Sequence, residues 1–205
     1  MISYPITLPT SPSSKTILLT PKDAVAVSAS TFSYKPQTQV WDGQVWTIRI
    51  GLPPGKRTTM AKWVAALTSL RGPYGSFLAG DFAHPTPRGV ATGTPLVNGG
   101  GQVGSTLNTD GWTPSVTGIL KAGDYLQLGT GATSRLYMNL TDVNSNGSGQ
   151  ATLELWPSLR GSPADNAAIV TTNARSKFML TANVPWNIDE ARVFGIEFNA
   201  VEDLR

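Results

Sequence analysis

Strict alternation of apolar and polar positions dominates this chain. Across residues 44–50, Trp46, Ile48 and Ile50 fall on one face, while Val45, Thr47 and Arg49 fall on the other. That pattern predicts a half-buried strand. Shorter runs at 17–20, 24–28 and 76–79 read the same way, with Val25 and Val27 alternating with smaller residues. Near the end, Phe178 and Leu180 share a face within 177–182, and Phe194, Ile196 and Phe198 share one within 192–200. Only 58–70 has helical spacing, through Met60, Trp63, Val64, Leu67 and Leu70. Thr58 or Thr59 is its expected N-cap, and Gly72-Pro73 its stop. Asp42-Gly43 lies between two aromatic-bearing runs and predicts a type I′ hairpin turn.

The region from Gly89 to Pro163 is different, holding 14 of the 21 glycines. Its clearest strands are 125–128, 136–140 and 151–156, with weaker ones around Val97 and Leu107. Leu126 and Leu128 share a face, as do Leu136, Met138 and Leu140, then Leu153 and Leu155. About five short strands in such a length suit a small OB-like β-barrel. The flanking strands have no sheet of their own unless they join each other. The predicted fold is therefore mainly β: a discontinuous β-sandwich domain with one amphipathic helix, residues 1–88 and 164–205, and an inserted OB-like barrel, residues 89–163. On this reading the barrel is separable, and the outer domain folds without it. Residues 1–14 carry Pro5, Pro9 and Pro12, so they are extended. They read equally as a frayed terminus or as an arm over a neighbouring subunit.

Composition agrees with a β-rich chain. Charged residues make up 14%, against about a quarter in ordinary domains, and a sparsely charged surface suggests cover by partners. The net charge of +3 is scattered, without the basic stripe that a nucleic-acid binder carries. No apolar run approaches the roughly 18 residues of a membrane helix. The first residues lack the pattern of a signal peptide.

Candidate chemistry is sparse. With no cysteine there is no disulfide, thiolate nucleophile or cysteine metal site. His84 is the only histidine, sits in a Pro-rich connector, and has no G-x-S-x-G turn to serve. Glu190, Glu197 and Glu202 read as a solvated face. Asp142, Asn144, Asn146 and Gly147 match the first half of a calcium loop, but Leu153 stands where the bidentate glutamate belongs. A hairpin loop is the better reading, because Asn and Gly tolerate positive φ. Gly99-Gly100-Gly101 reads as a connector, since no Gly-Lys-Ser/Thr follows. Trp112, in the turn-rich stretch TDGWTPS, is the one weak candidate for stacking on a glycan. No catalytic residue, metal ligand or cofactor-binding residue is expected.

Several stretches together carry a resemblance. TLPTSPS, GQVWTIRIGLPP, AKWVAALTSLRGPYGSFLAGD, NTDGWTPSVTGILKAGDYLQLG and ATLELWPSLRGSPAD occur in an order that resembles distal tail proteins of long-tailed bacteriophages and related gene-transfer particles. The resemblance covers most of the chain and rests on overall pattern. It implies a non-enzymatic virion protein assembled in the host cytoplasm. Such a protein forms a ring, usually a hexamer, at the tail tip or baseplate. Expected partners are other copies of itself, the tail tube protein, the baseplate hub and the tape-measure protein. A carbohydrate-binding module contacting host cell-surface glycans is the alternative expectation.

Overall fold

A computed structural model describes residues 2–188 and 193–205. The fold is mainly β: a sandwich-like body built on a large sheet and one helix, plus a nearly closed six-stranded barrel. In the body, β1 (Ile6–Thr7), β2 (Thr16–Ala29), β3 (Pro36–Gly51) and β4 (Gly55–Lys56) precede helix α1 (Arg57–Ser69) and β5 (Ser76–Gly80). The barrel follows: β6 (Gly93–Val97), β7 (Thr106–Trp112), β8 (Tyr125–Leu128), β9 (Arg135–Asn139), β10 (Ala151–Trp156) and β11 (Ile169–Val170). Strands β12 (Arg175–Leu180), β13 (Trp186–Ile188) and β14 (Val193–Glu202) then return to the body.

The large sheet runs β1-β5-β12-β14-β3-β2, with β4 and β13 pairing to β14. Alternation decides its buried face: Ile48, Ile50, Phe178, Leu180, Ile196 and Phe198 turn inward. Helix α1 supplies Met60, Trp63, Leu67 and Leu70 to the same core. Its N-cap is Lys56 and no side chain caps it, so Thr58 and Thr59 lie inside the first turn instead of preceding it. Arg71 and Gly72 end it at positive φ.

Residues 2–14 are docked on their own chain. β1 pairs in parallel with β5, Leu8 is buried, and the Tyr4 hydroxyl donates to Ser69 O at 2.6 Å. Trp63 Nε1 donates to Pro12 O at 3.2 Å. The arm packs against β5 and helix α1 of its own chain.

The barrel order is β11-β8-β9-β10-β7-β6. Leu96 bridges Ala168, and Val97 N donates to Ala167 O at 3.0 Å. β6 and β11 thus nearly close the sheet. Its last strand lies beyond residue 163, because two short hydrogen-bonded residues leave too brief an alternation to be seen in sequence.

The inward faces of the barrel partly differ from expectation. On β9 the barrel core receives Tyr137, while Leu136 and Met138 pack with the body. Leu140 is half exposed, past the end of the strand. β9 has two buried faces because the body sits against it. At that junction Trp46 is enclosed by Tyr125 and Trp156.

Buried charge also spans the junction. Glu202 continues the inward-facing series Ile196, Phe198 and Ala200, so it is enclosed and not part of a solvated face. It accepts from Arg160 Nη2 and Ser176 Oγ, both at 2.8 Å. Nearby, Arg135 Nη1 donates to Asp203 O at 3.0 Å, and Lys177 Nζ lies 3.5 Å from Asp203 Oδ2.

Candidate functional site

The residues proposed for chemistry do not converge. His84 Nδ1 is 3.1 Å from Asp81 Oδ2, with most of its ring in solvent. Both border a cleft of about 580 Å³ with Arg88, Asp124 and Tyr125, and among the described residues no serine lines it. Burial, then the nearby Asp81 carboxylate, raises the Tyr125 hydroxyl above its ordinary range. Glu197 pairs with Arg49 on the outer face of the sheet. Glu190 lies outside the described residues.

In the half-matched calcium loop each oxygen serves a different backbone group. Asp142 Oδ1 accepts from Ala122 N at 3.0 Å, and Asn144 Oδ1 from Gly118 N at 2.7 Å. Asn146 Oδ1 accepts from Ser148 N and Gln150 N, both at 2.9 Å. The Ala122 N–H and then the Lys121 ammonium hold the Asp142 carboxyl below its ordinary range. Among the described residues no group of three or more His, Asp or Glu side chains could hold a metal. Gly99 N donates to Asp165 Oδ1 at 2.7 Å, which pins the triple-glycine connector.

Trp112 is 2% exposed, and its Nε1 donates to Thr109 Oγ1 at 2.8 Å. The indole fills the barrel core, so neither ring face is at the surface for a sugar to stack on.

The feature that stands out is the β2–β3 hairpin. Its inner half is ordinary sheet, with Ile17 opposite Ile50 and Leu19 opposite Ile48. At Asp23 and Gln44 the register shifts, and pairing resumes with Val25 opposite Val40. Three residues of β3, Trp41 to Gly43, face Ala24 alone. A Cβ on Gly43 would stand 2.9 Å from the Ala24 Cβ, so a glycine suits this irregularity. Asp42-Gly43 is therefore a bulge inside a long strand. The actual turn is at 30–35, where the Ser30 hydroxyl accepts from Phe32 N and Ser33 N. The sequence misplaced the turn because Gly suits a bulge as well as a type I′ turn.

Beyond the bulge the two strands form a ribbon exposed on both faces. The extra residues of β3 preserve its alternation. Val25, Val27 and Ala29 share a face with Pro36, Thr38 and Val40, and this face continues the series buried under the helix. Ala26, Ser28, Gln37 and Gln39 form the other, more polar face, and Trp41 at the bulge is 53% exposed. Val27 and Val40 are each 65% exposed, and Phe32 at the tip is 98% exposed. The root of the ribbon is braced by the barrel: Trp156 Nε1 donates to Asp23 Oδ1 at 2.9 Å, and Ser158 N to Gln44 Oε1 at 2.8 Å. β2 is also an edge strand of the large sheet, with its outer side unpaired among the described residues. Its Pro21 fits that position, since proline cannot donate to a second ladder.

Comparison of the chain with protein-family models gives no match, and comparison with curated proteins gives none either.

Proposed function

We propose that this chain is a structural, non-enzymatic subunit of a tail-tip ring in a long-tailed bacteriophage or related particle, joining the tail tube to the tail hub. The sequence resemblance motivates the reading. The observation that carries it is the amphipathic ribbon, whose apolar face extends the core series of the sheet into solvent. A two-stranded ribbon alone is marginal in water, and contiguous exposed apolar surface marks an interaction site. A neighbouring subunit supplies the missing cover. A ring requires this contact to be head-to-tail, the ribbon of one subunit on a different surface of the next, with a rotation that closes.

Light scattering on the purified chain at high concentration tests the assembly, and particle images test its shape. A closed oligomer, hexameric on the resemblance, is expected. A strictly monomeric protein that forms no ring in images would overturn the proposal.

A further inference from the structure

The junction between body and barrel holds a buried ion pair. Arg160 leaves the barrel after β10, and Glu202 ends β14 of the body. Their side chains are 12% and 0% exposed. The carboxylate is gripped from three body or barrel elements: Arg160 Nη2 at 2.8 Å, Ser176 Oγ at 2.8 Å, and Trp46 N at 3.4 Å. Arg160 N also donates to the Tyr137 hydroxyl at 3.1 Å, tying the same residue to the barrel core.

Taking two charges out of water costs more than their attraction commonly returns, and apolar replacements of similar volume are often neutral or stabilising. This site is also imperfect by that measure, since Arg160 Nε is enclosed and has no acceptor among the described residues. The junction already has apolar contact, from Trp46 against Tyr125 and Trp156 with Leu136 and Met138 nearby. The apolar part of that contact is non-directional, and the neutral hydrogen bonds beside it, Trp46 Nε1 to Leu136 O and Trp156 Nε1 to Asp23 Oδ1, both at 2.9 Å, each join one donor to one acceptor. A carboxylate held by donors from β3, β12 and the barrel has one satisfactory position.

We infer that the Arg160–Glu202 pair is a registry pin: it fixes the orientation of the barrel on the body more than it stabilises either. The inference stands apart from the ring assignment, because it concerns the geometry of a single chain.

The chain has no cysteine, so spin labels at Ala65→Cys on α1 and Ser148→Cys in the barrel loop report one distance. The unaltered junction should give a single narrow distribution. The apolar double variant Arg160→Met/Glu202→Leu should melt at the same temperature or higher, while the distribution broadens or splits. Glu202→Gln, which leaves Arg160 without its counter-charge, should melt lower and broaden too. A narrow, unshifted distribution in the folded double variant would overturn the inference. So would failure of the double variant to fold or a large drop in its melting temperature, since the pair would then be a stability element.

Discussion

Trp46 of the body and Trp156 of the barrel meet edge to face, with ring centroids 4.5 Å apart. Each also donates across the junction: Trp46 Nε1 to Leu136 O and Trp156 Nε1 to Asp23 Oδ1, both at 2.9 Å. Trp46 is 1% exposed, so its removal leaves a cavity and an unpaired carbonyl. Trp46→Ala should destabilise the chain by about 3–5 kcal/mol, read from urea unfolding followed by circular dichroism. A loss no larger than that of an exposed substitution would mean that the junction does not hold the two parts together.

The same junction bears on removing the barrel. Replacing residues 89–163 with a short Gly-Ser linker leaves β11 without its partner strand and uncovers Trp46 and Glu202. The shortened chain is expected to unfold at a lower temperature and to aggregate. Differential scanning calorimetry checks this, and unchanged melting would show the body to be self-sufficient.

The ribbon separates assembly from folding. Val27 and Val40 contribute little to the fold of one chain, being 65% exposed. Val27→Asp combined with Val40→Asp should leave the melting temperature of the monomer nearly unchanged and abolish the oligomer seen by light scattering. Persistence of the oligomer would show that the ribbon face is not the contact.

Two glycines give opposite expectations. A Cβ on Gly80 would lie 2.1 Å from the Ala174 carbonyl oxygen, where the two backbones approach closely. Gly80→Ala should cost about 1–3 kcal/mol through overpacking. Nothing lies within 4 Å of a Cβ on Gly147, and Gly147→Ala should stay within about 0.5 kcal/mol. Chemical denaturation of the two variants side by side compares them.

Acid stability has an identifiable contributor. Burial acts to raise the Asp203 carboxyl, but hydrogen bonds from the Arg205 side chain and backbone, with the Lys177 charge, outweigh it and hold the group below its ordinary range. A folded value below the unfolded one adds stability above the unfolded pKa, about 3.9. That stability is lost as pH falls through the lower folded value. Asp203→Asn should therefore flatten the decline in urea midpoint between pH 5 and pH 2, where pH is set by the buffer and about 3.9 marks the onset. An unchanged slope would assign the acid sensitivity to other groups.

Much of the fold was legible in the sequence because period two is local. Trp46, Ile48 and Ile50 had to face one way, and so did Phe194, Ile196 and Phe198, whatever they packed against. The same rule placed Glu202 inward. It was obscured because a carboxylate at the end of a strand reads as solvated until its partners, Arg160 and Ser176, are brought in from 42 and 26 residues away. Trp112 shows the reverse error: turn-forming neighbours suggested exposure, and the barrel wrapped around it.

The β-rich class, the helix with its buried stripe and the alternation of the longer strands follow from the residues alone, since these depend on neighbours along the chain. Tertiary structure decided where the chain reverses after Ala29, which face of β9 meets which core, and that Val25, Val27 and Val40 project beyond the helix that covers Ile48 and Ile50. An apolar residue carries the same pattern whether its own chain covers it or leaves it for another; only the path of the backbone distinguishes the two.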